Sequence, residues 1–435
     1  GSAPFAGTYF GDFDANGFAD IVATIGNATT ALPLYFNGAA PANFSFTSVP
    51  AWQASGPYEN LTVGRFNNDS IDDVAASKFD GTEDVFLGQA GKGLTTPAHL
   101  FPRGFRFFAA DDAESYAISA PSFSKKLSFS TPGSIKATPG TIYLMSKDAQ
   151  GTQYHDAFDL SVDGTAGMPT SEPADAYGSA MAWGNFSKNA QGLADLVTGA
   201  PGRAVGNAKN AGVVQWLHYG VTSFDIQAID RSDFGENPAH WDYFGRALSA
   251  GDFNGDGADD LAIGRANGVH VMTGGGSGFP LSAKHNISAS TFGISGSGFG
   301  SSLTSGDFNC DGFEDLAIGM DGIDLQGTVQ AGAVFVTYGG PSGLSVPTAG
   351  KGGAWQRVDK SMGLGGAALK AYDHFGFQLV AGNFNGDTHN GRPCIDLAVA
   401  SEPNGGLAFG KGGKLMRVLN VGAVTIVRGG PGLGN

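Results

Sequence analysis

Cysteine is nearly absent: the 435 residues contain two, Cys310 and Cys394. That excludes a disulfide-dense scaffold and a cysteine-rich zinc protein, both of which need closely spaced sets. Charge is sparse too, at 15% of residues, and it leans acidic, with 40 Asp plus Glu against 25 Lys plus Arg and a formal charge of −15. Phosphate binding rests on clustered Lys and Arg, so a general nucleic-acid binder is disfavoured. No stretch reaches the ~18 to 20 consecutive apolar residues of a membrane-spanning helix. Long amphipathic helical patterns are also missing, as are HExxH, GxSxG and any close metal-ligand spacing among the eight His. Residues 363–368 match GxGxxA without a strand-turn-helix context, and 405–411 approach a phosphate loop but end at Gly412 where Ser or Thr is required.

What is plentiful is Gly, at 70 residues, and Phe, at 32, in a chain that is 41% hydrophobic. This is too apolar for disorder, and the Gly lacks the period of three of a collagen. The Gly falls instead into a repeated phrase. GDFNGDGADDLAIG at 251–264 returns as GDFNCDGFEDLAIG at 306–319 and GDFDANGFADIVAT at 11–24. Worn copies begin at Gly64, Trp183 and Gly382, and residues 107–121 keep the apolar frame without the loop. Seven copies in 435 residues give about 62 per unit, a length suited to a four-stranded propeller blade.

Other landmarks return in step. An aromatic-Gly pair precedes the phrase at Tyr177-Gly178, Phe244-Gly245, Phe299-Gly300 and Phe375-Gly376. Gly-led runs of β-branched and aromatic residues follow it, as in GVVQWLHYG at 212–220 and GAVFVTYGG at 332–340. Such runs between turn residues predict strands, so the expected fold is all-β, a single domain over 1–435.

In the phrase, oxygen-bearing side chains recur at alternate positions and Gly permits a sharp bend. Asp252, Asn254, Asp256 and Asp260, with the carbonyl of Ala258, form one such set. Asp307, Asn309, Asp311 and Asp315 with Phe313 form a second, and Asp12, Asp14, Asn16 and Asp20 with Phe18 a third. Hard oxygen donors in this number suit Ca²⁺, which takes about 6 to 8. The loops are not EF-hands, since Ile263, Ile318 and Ala23 stand where a bidentate Glu is needed. The alternative is an Asx-rich turn that binds nothing.

Asn383, Asn385, Asp387 and Asp396 offer a fourth set interrupted by extra residues, whereas Arg65 and Ser70 spoil the second copy and Asn185, Ser187 and Asp195 make a poor one. Three to four structural Ca²⁺ ions are therefore expected. Cys310 and Cys394 lie in neighbouring loops of this series; a disulfide between them is one reading and two unrelated thiols the other.

These motifs resemble the FG-GAP repeats of the integrin α-subunit head, with Phe-Gly as one landmark and Gly199-Ala200-Pro201, varied as Ser119-Ala120-Pro121, as the other. The resemblance spans nearly the whole chain. It implies a seven-bladed β-propeller of four-stranded blades with Ca²⁺-binding hairpin loops on one face and partner-binding loops mainly on the other. On that second face the candidates are Trp52, Tyr58, His240, Trp241, Tyr243, Tyr372 and His374, whose rings can stack on sugars or anchor a protein loop, or can simply pack between blades. The expected role is an extracellular or cell-surface recognition and adhesion module for a protein or glycan. The alternatives are a polysaccharide lyase, hydrolase or lectin on the same scaffold, or a platform with no small ligand.

Overall fold

The computed structural model describes residues 8–17, 19–25, 32–36, 52–53, 58–64, 69, 71–78, 83–95, 106–108, 115–119, 142–148, 151–158, 175–188, 195–219, 224–275, 284–345, 355–362, 368–401, 407–409, 415–417 and 423–430. Among them the fold is all-β. The helical pieces are single 3₁₀ turns, such as Arg231–Phe234 closed by Gly235 in the left-handed region.

The strands form five antiparallel sheets of four strands and two of three, plus two short ribbons. Each large sheet draws its strands from one continuous stretch of chain. The fifth along the chain is typical: Ala247–Gly251, Asp260–Arg265, Gly268–Met272 and Lys284–Ser288, each hydrogen-bonded to the next. Nearest-neighbour pairing keeps every connection short.

The repeated phrase is the first hairpin of its sheet, and its register does not vary. Gly11 pairs with Asp20, Gly64 with Asp73, Gly184 with Asp195, Gly251 with Asp260, Gly306 with Asp315 and Gly382 with Asp396. The strand ends at Gly, the loop follows, and the return strand starts on Asp. Between them the Phe after the first ligand position turns inward: Phe13, Phe186, Phe253, Phe308 and Phe384 are all fully buried.

Successive sheets pack through their first strands. Thr8–Gly11 touches Tyr58–Gly64, which touches Arg106–Phe108; Met181–Gly184 touches Ala247–Gly251, then Ser297–Gly306, then Gln378–Gly382. Gln378–Gly382 in turn lies against Thr8–Gly11, so the last sheet meets the first. The core lies in these seams. One cluster joins Phe253, Val269, Phe299, Ile318 and Phe335, and the next joins Phe308, Val334, Phe375 and Val399. Glycine permits the close approach at each seam: a Cβ on Gly199 would stand 2.0 Å from the carbonyl oxygen of Gly245, and one on Gly319 2.3 Å from that of Gly376.

Candidate metal centre

Alternation in an extended run sends every second side chain the same way, so the Phe dives into the seam while its neighbours' oxygens gather outside. In the fifth sheet Asp252 Oδ1 accepts the N–H of Asp256 at 3.1 Å and Oδ2 that of Gly257 at 2.9 Å. Asn254 Oδ1 accepts the N–H of Asp256 at 2.7 Å, and Asp256 Oδ1 that of Ala258 at 2.9 Å. The sixth sheet repeats this with Asp307, Asn309 and Asp311, whose acceptor distances run from 2.8 to 2.9 Å. In the first sheet the carboxylate oxygens of Asp12, Asp14 and Asp20 converge within 4.8 Å of one another. Phe18 lies outside the described residues.

The closing Asp is locked from two sides. Asp260 accepts from Phe253 at 3.2 Å and Gly274 at 2.9 Å; Asp315 from Phe308 and Gly339, both at 2.9 Å; Asp396 from Phe384 at 3.0 Å and Gly429 at 2.9 Å. Burial and the facing carboxylates push these acids up, Asp260 to about 7, Asp315 to about 8 and Asp396 to about 6. An acid cluster that resists ionisation by itself is stabilised by a divalent cation. Orphan oxygens point the same way: the buried Oδ1 atoms of Asn383 and Asp387 have no hydrogen-bond partner among the described residues. The donors are all hard oxygens, so the residues present fit Ca²⁺.

The worn copies differ. In the fourth sheet Asp195 accepts from the Ser187 N–H at 3.1 Å, but its other oxygen lies 2.8 Å from His218 Nδ1 where the intact copies have a Gly amide. Lys188 donates to the carbonyl of Asp256 in the neighbouring loop. In the second, Asp69 caps Ile71 at 2.9 Å and Asp73 accepts from Gly88 at 2.8 Å; Arg65, Asn67 and Ser70 lie outside the described residues. Cys310 and Cys394 are joined by a disulfide with Cα atoms 5.1 Å apart.

The loops before each aromatic-Gly pair sit at the other end of the strands. Trp241 is 56% exposed and Tyr372 46%. Both are in the left-handed region, with φ of 61° and 58°, as are Tyr243 and His374 at 52° and 48°. Backbone bonds hold them there: Trp241 N–H donates to Lys209 O at 2.9 Å and Tyr372 N–H to Val329 O at 2.8 Å. Trp241 and Tyr243 have ring centroids 6.3 Å apart, and His240 is exposed beside them, but the pair 372 and 374 belongs to a different seam. Trp52 and Tyr58 fall within strands, Trp52–Gln53 and Tyr58–Gly64, rather than in connections, and their side chains lie outside the described residues.

Residues 252–318 match the family model described as FG-GAP-like repeat. Integrin alpha-5 of Xenopus laevis is 32% identical over 260 residues, 54% of this chain and 23% of that protein. The chain thus contains an FG-GAP-like repeat and is similar to integrin α subunits. A phosphatidylinositol-glycan-specific phospholipase D of Bos taurus is 28% identical over 176 residues, 37% of this chain and 19% of that protein. Among solved structures, Sqt1 of Saccharomyces cerevisiae gives a TM-score of 0.44 at 11% identity, covering 92% of this chain and 82% of that one. The matched part spans about a quarter or less of the length of these curated relatives.

Two features of the repeated units escaped the sequence reading. The residue before the closing Asp reaches the preceding unit: Asp72 accepts the N–H of Asp12 at 2.9 Å, and Asp259 that of Asn185 at 2.7 Å. An Asp also recurs two residues before the aromatic-Gly pair, each with a buried or half-buried cation. Asp175 pairs with Arg203 at 2.6 Å, Asp242 with Arg231 and Arg265 at 3.4 Å, and Asp373 with Lys360 at 2.6 Å. The recurring spacing Asp-x-Phe/Tyr-Gly was the signal available.

Proposed function

We propose that the chain is a seven-bladed β-propeller stabilised by three to four Ca²⁺ ions, and that it acts outside the cell or at its surface as a recognition or adhesion module. The observation that carries this is one hairpin register repeated around the sheets, four copies of which gather oxygens at the loop. Asp12, Asp14, Asn16 and Asp20, then Asp252, Asn254, Asp256 and Asp260, then Asp307, Asn309, Asp311 and Asp315 hold one ion each. Asn383, Asn385, Asp387 and Asp396 hold the fourth. Bound Ca²⁺ neutralises buried carboxylates; the chain's own amides pre-aim them.

The opposite face binds a protein or glycan. Support comes from Trp241 and Tyr372, large rings exposed on strained backbone where Gly or Asn would be less costly. Stiff aromatic platforms of this kind suit sugar faces and protein anchors alike. Phosphate backbones are not the partner, given the charge of −15.

Elemental analysis after dialysis in Ca²⁺ should find three to four ions per chain, and none would overturn the structural role. A glycan, polysaccharide and extracellular-protein panel, scored for retention and for released reducing or unsaturated ends, tests the binding role. Product formation would favour the enzyme reading instead.

A further inference from the structure

The last carboxylate loop is longer than the others, and its extra residues reach its neighbour. Thr388–His389 pairs with Arg392–Pro393 in a short ribbon. The ribbon leads to Cys394, bonded to Cys310, which sits between the candidate ligands Asn309 and Asp311. Cys310 sits at φ 62°, the left-handed conformation that Ala15 and Gly255 take at the same position of their loops. Arg392 fills the space that a Cβ on Gly312 would take, and its Nη1 donates to the Asp311 carbonyl at 3.5 Å. Cys394 N–H donates to Asp387 O at 3.1 Å, and Ile395 N–H to Asp307 O at 3.2 Å. One bond therefore ties the middle of one ligand run to the closing turn of the next.

We propose that this ribbon is a redox-sensitive clasp on cation binding: with Cys310–Cys394 closed, both loops are held in their chelating shape, and opening the bond lowers their affinity for Ca²⁺. The inference rests on the cation reading above. A free loop must be ordered when it wraps an ion, and the clasp removes that cost before binding. Coupling of this kind is reciprocal, so Ca²⁺ must make the bond harder to reduce by the product of the factors at the two sites. Both cysteines are buried, at 5% and 4% exposure, so a reductant needs the loops to open first. Reduction by a dithiol breaks the S–S bond and leaves two protein thiols; the dithiol supplies two electrons and two protons and closes to its own disulfide.

The test is calorimetric Ca²⁺ titration of the full chain, oxidised and as Cys310→Ser/Cys394→Ser, with a parallel dithiothreitol titration of the unmodified chain with and without Ca²⁺. Two of the sites should each weaken about tenfold in the double variant while the others hold, and saturating Ca²⁺ should raise the dithiothreitol concentration for half-reduction, at fixed oxidised dithiothreitol, by the product of the two factors, about a hundredfold. The half-reduction measurement needs no variant, so misfolding of the double mutant cannot hide the answer. Equal affinities in a folded variant, or a half-reduction point indifferent to Ca²⁺, would overturn the clasp and leave the cation sites standing. No Ca²⁺ uptake by the oxidised chain would overturn the cation reading and the clasp with it.

Discussion

The hairpins after Gly184 and Gly251 belong to neighbouring sheets and share a register, yet their contents are opposed. The second gathers Asp252, Asn254, Asp256 and Asp260; the first has Asn185, Ser187 and Asp195, with His218 Nδ1 against Asp195, and sends Lys188 across to the Asp256 carbonyl. In one, carboxylates accumulate around a single ammonium, that of Lys188; in the other, an imidazole faces the closing carboxylate. The frame is therefore independent of its filling: the Gly-to-Asp register and the buried Phe survive where the ligand set does not. Interdigitated packing in the seam keeps the turn, and the proposed ion would act only on the outer half of it.

Chelation should separate the two hairpins most sharply. An ion held only by the folded state contributes about 2.7 kcal/mol when its free concentration is a hundredfold above Kd. Calorimetry in EDTA should thus show a melting temperature lowered by about ten degrees for three to four ions, with hydrogen exchange quickening at 252–260 and 307–315 but little at 185–188. An unchanged melting curve would remove the contrast altogether.

Asp315→Ala strips acceptors from the amides of Phe308, Asn309 and Gly339, and should cost about 2 to 4 kcal/mol in urea unfolding. Asp195→Ala, which loses only the Ser187 amide and His218, should cost about 1 to 2 kcal/mol and leave the Ca²⁺ count unchanged. Equal costs, or a Ca²⁺ lost from the Asp195 variant, would mean that the worn loop is a metal site too.

Acidity offers a subtler contrast. Asp260, Asp315 and Asp396 are raised to about 7, 8 and 6, well above the unfolded value near 3.8, so the metal-free folded state holds more protons than the unfolded one. That contribution is complete below about pH 4 and is lost as pH rises through 6 to 8. Urea midpoints in EDTA should fall over this window from these groups, and Ca²⁺ should reverse the fall, binding more tightly with each proton released. Affinity flat from pH 5 to 8 would argue against the buried carboxylates as ligands.

The smallest effect is expected at the other end of these strands. Trp241→Gly relieves a left-handed Trp and should stabilise the fold by about 0.5 to 1 kcal/mol while abolishing ligand retention on the panel. A loss of stability instead would mean that the ring packs, not binds.

Much of this was legible in one dimension because hairpins are local. The phrase places Gly251 and Asp260 nine residues apart, and side-chain alternation alone says which residues face the loop and which the seam. Strand positions in the Gly-led runs, such as Val213–Tyr219 and Ala333–Thr337, follow from the same short-range pattern. Trp52 and Tyr58 misled because a short unpatterned stretch beside Pro and Gly reads as a connection, whereas pairing across the sheet, Tyr35 with Trp52, made it a strand.

Chain order alone thus determined the repeat, the ligand alternation and the all-β class, since each depends on neighbours within a dozen or so residues. Which loops touch across a seam was decided only when sheets met: Lys188 and Asp256 are 68 positions apart, Cys310 and Cys394 are 84, and Asp259 reaches Asn185 across 74. Contacts at such separations follow from how the seams stack, because packing brings loops of equivalent register side by side whatever their residues happen to be.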